Sequence, residues 1–535
     1  MRASKVSSSR SSLEVTSENP LPKSGLQKDE ESQNDAHWPS SPATTILTTP
    51  NSGISPRQLL RLLGRLLYLL APNCLRLFHK NGMPQVEKAS STAFLDGMRG
   101  MAAFVVFICH LTYGTFDIGH AYGAIPEGES PRDSSHGSLL RLPIVRLLYS
   151  GPPMVAIFFV ISGYVLSYKP LKLMRAQQYE CLMLSATSTV FRRGLRLFLP
   201  CFASTFLVAI LAQLNLYKIT EAFSEQMRGI REDHCYTQPD PWSQFTDWCQ
   251  QMLIFTNVFD WSLYGGSIEL DRHLWTIPVE YRCSMVLFLT HIMVARMPPR
   301  IRLSVLVGLM ALGANWNRWD LCPFWAGMII AELDLISIEQ TSNRLSFSAL
   351  ATNTSDLKEA RWHIASTTRQ PGKGPMDATY WLLWALSLFL LSYPDAAGHA
   401  TPGYVTLTSL IPANFTQMHR FWPTVGAILI VLSTCNLDFL RNKIFCSRPL
   451  QYMGRISFPL YVMHGPVIHT LGYLILPTTI ARATPDAMRD FEMAFFKSSL
   501  VIILAVMWVS DIFLRMVDTP CVILARNLEK RMFLE

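Results

Sequence analysis

From residue 94 onward, long apolar runs alternate with short polar connectors, several of them basic. Taking roughly 20 apolar residues as enough to cross ~30 Å of hydrocarbon, the pattern predicts ten spans. They lie near residues 94–113, 152–168, 197–217, 274–295, 301–315, 319–335, 379–393, 421–437, 457–476 and 496–517. Residues 1–53 instead mix Ser, Thr, Pro, Asn and charge without an apolar period, the composition of a disordered tail, and they hold no apolar secretory segment. Between the two, residues 54–80 place Arg57, Arg61 and Arg65 at every fourth position, with leucines over the remaining face. That stripe would face lipid in a spanning helix, so it predicts an amphipathic helix lying on the membrane surface. The fold class that follows is all-α: a polytopic transmembrane helical bundle of about ten spans, with a long loop at 336–378.

Composition sharpens this. Charged residues make up 16 % of the 535 positions and apolar residues 49 %, against roughly 25 % charged in an average soluble protein. The net charge of +8 sits in short clusters between apolar runs. No basic stripe with a nucleic-acid-binding motif is present, so the charge reads as an orientation signal and nucleic acid is not an expected partner. The loops after the second, fourth, sixth and eighth runs carry KPLKLMR, RMPPRIR, the 336–378 segment and RNKIFCSRP. By the positive-inside rule these loops, the N-terminal tail and the C-terminal NLEKR face the cytosol of an endoplasmic reticulum or plasma membrane protein. The opposite loops hold the glycosylation sequon Asn414-Phe415-Thr416 and the pair Cys235 and Cys249, placed where a disulfide can persist. The 11 cysteines show no CxxC pair and no zinc spacing, so no metal site is expected.

Polar residues inside the apolar runs carry the chemistry, because a charge left unpaired in hydrocarbon costs a few kcal/mol or more. In FLDGMRGMAAFVVFICHLTY, Arg99 and His110 are eleven positions apart, three helical turns plus about 20°, so they share one stripe at a separation of roughly 16 Å. Asp96 lies three residues before Arg99 and can pair with it. Arg192, Arg193 and Arg196 precede the third run, where guanidiniums would grip phosphate at a cytosolic cavity mouth or simply anchor the helix. Glu280 and His464 lie about two turns inside the fourth and ninth runs, Asp271 and His273 at the lumenal lip of the fourth, and Asp511 and Arg515 at ion-pair spacing in the last. An imidazole takes a proton from a hydroxyl near neutral pH, which makes His110 the candidate general base. A nearby carboxylate would orient its ring, and spacing leaves open whether Glu280 is that carboxylate. Without a G-x-S-x-G, HExxH or Walker motif, direct transfer from an activated donor remains.

FLDGMRGMAAFVVFICH, an Arg and a His with ten residues between them, resembles the opening span of the integral-membrane acyltransferase family 3. FFVISGYVLSY, FRRGLRLFLP, HLWTIPVEYRCSMVLFL, ISFPLYVMHGP and the closing VDTP resemble its later blocks in the same order, over residues 90–525, and the long polar tail is similar to that of fungal members. The resemblance implies an enzyme that moves an acyl group, commonly acetyl from acetyl-CoA, to a hydroxyl of a carbohydrate, lipid or small natural product, with acyl-CoA as co-substrate and no permanently bound cofactor. It assigns the first-span pair to Arg99 and His110 and the paired arginines to Arg193 and Arg196, with Glu280 and His464 in less sharply defined roles. The expected mechanism docks coenzyme A phosphates on Arg99, Arg193 and Arg196 and reaches the thioester toward His110. The 336–378 loop departs from the family pattern, and no soluble transferase domain is appended. Two other classes fit the polar residues: a secondary transporter using His110, Glu280 and His464 as a proton relay, and a scaffold whose polar stripe locks helices together.

Overall fold

A computed structural model of the chain describes residues 92–124, 137–217, 235–262, 264–351, 375–480 and 488–533. The expected tail at 1–53 and surface helix at 54–80 lie outside the described residues. The principal helices are α1 (Ala93–Thr112), α2 (Gly151–Arg175), α3 (Tyr179–Gln213), α4 (Pro241–Phe255), α5 (Thr276–Val294), α6 (Pro299–Asn315), α7 (Leu321–Ala351), α8 (Pro375–Leu391), α9 (Met418–Asn436), α10 (Arg448–Val467), α11 (Tyr473–Ile480), α12 (Met488–Phe513) and α13 (Thr519–Met532). The fold is all-helical among the described residues.

Six of these helical stretches are long and apolar enough to cross a membrane, and a seventh is added if α9 and the Phe439–Phe445 turn, bent by 94°, form one span. Each of the ten apolar runs falls on a helix among the described residues; α6 and α8, with 17 residues each, are not among those six or seven. Helix α10 carries Arg448 and Arg455 with Pro459 and Pro466, and buries its apolar residues against other helices. The expected loop at 336–378 begins as helix, because α7 continues to Ala351.

Two parallel helix pairs organise the bundle. On α1 and α10, Arg99 meets Ser457 and His110 meets His464, so the two chains ascend together. They touch backbone to backbone, since a Cβ on Gly100 would lie 2.2 Å from the Gly454 nitrogen. On α2 and α7, the Tyr164 hydroxyl donates to Asp334 at 2.8 Å and Arg175 to Glu332 at 2.9 Å. Glu332 is fully buried and accepts a second guanidinium, Arg302 of α6, at 2.9 Å, the pairing that a carboxylate away from water requires. Pro466 has no N–H for the Val462 carbonyl, and the Ser204 hydroxyl of α3 donates to that oxygen instead, at 3.3 Å. The expected pair in the last run is present, with Arg515 donating to Asp511 at 2.9 Å.

Cys235 and Cys249 are free thiols rather than a disulfide. Cys235 is buried and its thiol is pushed up to about 12 by that burial, which suppresses the thiolate that disulfide formation needs. In the sequon, the Asn414 amide donates to the backbone oxygen of Asn315 at 2.5 Å. Gly100→Val should lower the melting temperature of the detergent-solubilised protein, by an overpacking cost of roughly 1–3 kcal/mol or more, whereas Gly137→Val, where a Cβ meets nothing, should leave it unchanged.

Candidate active site

Three imidazoles converge where α1, α10 and the Arg272–Trp275 turn that leads into α5 meet. His110 Nδ1 lies 2.7 Å from His464 Nε2, with the two rings stacked at a centroid distance of 4.9 Å. The His273 ring centroid is 4.2 Å from that of His110 and 4.9 Å from that of His464. His464 and His273 are buried, while His110 is half-buried and so presents the accessible edge of the cluster.

The surrounding acceptors fix the tautomers. His464 Nδ1 is 3.2 Å from the Leu460 carbonyl, which only accepts, so this nitrogen carries the proton and His464 Nε2 is a lone pair. His110 must then donate from Nδ1, leaving its own Nε2 as a base. Asp271 organises the third ring. Its Oδ1 caps the Arg272–Trp275 turn by accepting from the His273 backbone N–H at 3.1 Å and also holds His273 Nδ1 at 2.9 Å. The other oxygen, Asp271 Oδ2, is buried without a hydrogen-bond partner. Tyr461 of α10 donates to the His273 carbonyl and contacts Thr276 Oγ1 at 2.6 Å. Gly465 gives the dyad its room, as a Cβ there would sit 2.7 Å from His273 Nδ1 and 3.1 Å from both Asp271 oxygens.

The three rings offer metal-ligand atoms within 4.8 Å of one another. A metal joining all three would have to displace the His110–His464 hydrogen bond, because 2.7 Å between ligand atoms is shorter than two Zn–N bonds of ~2.0 Å spread at a tetrahedral angle allow.

Three turns back along α1, a cationic cluster occupies the other end of the stripe. Arg99 pairs with Asp96 at 2.9 Å and donates to Ser457 at 3.1 Å, yet its side chain is 34 % exposed. Arg196 of α3 has Arg99, Arg193, Arg526 and Asp518 as its charged neighbours. Arg196 is exposed and Arg99 partly so, which leaves the cluster open to solvent. Asp518, at the end of the wide Leu514–Asp518 turn, also faces Arg99. Arg192 pairs with Glu529 at 3.2 Å, which ties α3 to α13.

The sequence-predicted residues therefore divide into two groups. His110 and His464 are in contact, and Arg99 and Arg196 belong to one cationic cluster. Glu280 is not the carboxylate beside His110. It accepts from Arg193 at 2.5 Å and from Ser162 at 2.7 Å, and Arg193 also donates to Ser284 at 2.6 Å. Arg193 is thus committed to Glu280. The orienting carboxylate nearest the imidazoles is Asp271, through His273. Both stand at the expected lumenal lip of the fourth run in sequence, and there they are buried, at 6 % and 7 % exposed. Asp518 was noticed only as part of the closing VDTP and Arg526 not at all, since their proximity to α1 is created by the fold.

Comparison with known proteins places these residues in context. An acyltransferase domain family matches residues 92–515. The chain is 33 % identical over 447 residues to the O-acetyltransferase PaAT-1 of Phomopsis amygdali, covering 81 % of this chain and 83 % of that one. It is 26 % identical to acyltransferase R4 of a Phoma species, over 82 % of this chain and 95 % of that one. It is 27 % identical to acyltransferase clz18 of Cochliobolus lunatus, over 80 % and 94 %. No solved structure matches. If Glu280 serves to neutralise Arg193, Glu280→Ala should cost roughly 3 kcal/mol of stability as an unpaired buried charge. A denaturation double-mutant cycle should then show Arg193→Leu recovering most of that loss.

Proposed function

From the premise that this chain belongs to the integral-membrane acyltransferase family 3, we propose that it transfers an acyl group, acetyl in the first instance, from acyl-CoA to a hydroxyl of a carbohydrate, lipid or small natural product. The observation that carries this reading is the separation of two unlike clusters along one face of the α1–α10 pair: guanidiniums at Arg99, Arg196 and Arg526, and imidazoles at His110, His273 and His464. Eleven helical residues from Arg99 to His110 span roughly 16 Å, about the reach of an extended pantetheine arm. Phosphates of the donor would be gripped at the first cluster by forked, charge-assisted hydrogen bonds, and the thioester would extend to the second. Arg193 is already paired with Glu280 and serves to hold α3 against α5.

At the far end, His110 Nε2 accepts the proton of the acceptor hydroxyl as its oxygen attacks the thioester carbonyl. Its Nδ1–H stays on His464 Nε2, which keeps the ring in the productive tautomer. The basic connectors favour entry of the donor from the cytosol. A permease would need the same buried polar groups, but a cation cluster placed one pantetheine length from a base favours the transferase.

Purified protein supplied with acetyl-CoA and a panel of hydroxyl compounds should release free thiol. His110→Ala should slow this by roughly 10²–10⁴-fold, the contribution of a positioned general base. Arg196→Ala should raise the KM for acetyl-CoA about tenfold or more, the worth of a hydrogen bond to a charged group, without changing the KM for acetyl-N-acetylcysteamine, which has no phosphates. Full turnover by the His110 variant would remove that residue as the base, and compound flux into vesicles without thiol release would favour the permease.

A further inference from the structure

We infer that His273, held by Asp271, is a second catalytic residue: the general acid that protonates the departing coenzyme A sulfur. The inference rests on the acyl-transfer reading above and assigns the half of the proton cycle that His110 leaves open.

The first argument is charge balance. Asp271 is 6 % exposed and His273 is its ion-pair partner at 2.9 Å. A carboxylate taken out of water is stable as an anion when a cation pairs with it, and a His273 protonated on both ring nitrogens supplies that cation. His110 has the opposite environment. Its Nδ1 partner is the lone pair of His464, and the His273 ring stands 4.2 Å away, where one positive charge disfavours a second. Two chemically identical side chains are thereby held in different protonation states, one as acid and one as base, by what touches their Nδ1 atoms.

The second argument is geometric. With Nδ1 on Asp271, His273 turns Nε2 toward α1, where the Tyr113 hydroxyl lies 3.5 Å away. Both Nε2 atoms thus serve the same small volume. In the resulting step the acceptor O–H breaks and its proton goes to His110 Nε2, while the C–O bond forms. The tetrahedral intermediate collapses as C–S breaks, and the sulfur takes the proton from His273 Nε2. Transfer of the proton from His110 back to His273 restores the resting site. The sum is alcohol plus thioester giving ester plus thiol, with no other reactant. Asp271 acts through His273 and is a positioning residue.

The test exploits the acidity of the leaving thiol. Acetyl-CoA departs as a basic thiolate that benefits from protonation, whereas S-(4-nitrophenyl) thioacetate departs as a stable one that does not. His273→Gln should slow transfer from acetyl-CoA by about 100-fold, in the range of general-acid catalysis, and transfer from the aryl thioester far less. Asp271→Asn should show the same selectivity in milder form, which preserves the test if the His273 variant fails to fold. His110→Gln should be slowed with both donors alike. Equal penalties on the two donors in the His273 and Asp271 variants, or none, overturn the assignment while leaving the transferase intact. A wild-type protein that turns over neither thioester overturns the transferase reading, and this one with it.

Discussion

The close approach of α1 and α10 sets the spacing of everything else. With no side chain at Gly100 or Gly454, the helices meet at their backbones. Only then can the Arg99 guanidinium reach Ser457 and the His110 ring reach His464. In hydrocarbon a polar group has no water to fall back on, so each must find its partner within the protein. The helix pair answers that demand twice on one stripe, once with a cation and once with an imidazole. Because both helices run in the same direction, a single register fixes both contacts.

The same demand accounts for the polar clusters outside the stripe. Glu332 between Arg175 and Arg302, Glu280 against Arg193, and Asp511 with Arg515 are buried or half-buried carboxylates closed by guanidiniums. Each joins helices or turns and leaves little of its charge for a ligand. In the imidazole cluster it is an acceptor that is left over, since Asp271 keeps one oxygen without a hydrogen bond, and His110 keeps an accessible edge.

Arg99, His110 and His464 were legible because a charged or titratable residue inside an apolar run has few structural excuses. Asp96 with Arg99 and Asp511 with Arg515 were legible from helical spacing alone. Glu280 was noticed without its partner being legible: a buried carboxylate signals that a partner exists, but not which helix supplies it. Asp271 and His273 stand just outside an apolar run, so hydropathy placed them at its lumenal lip. The turn at Arg272–Trp275 and the bare backbone of Gly465 tuck them inward. The apolar runs were legible as helices, and six or seven of the described helical stretches have the length and apolarity of a full span.

The cationic cluster draws on both ends of the domain, with Arg99 from its first helix, Asp518 from the turn before the last, and Arg526 from the last. Ribosomes deliver these residues in order, so the cluster is complete only when more than four hundred intervening positions have been made and inserted. It is thereby a feature of the finished domain, which no amino-terminal fragment can carry.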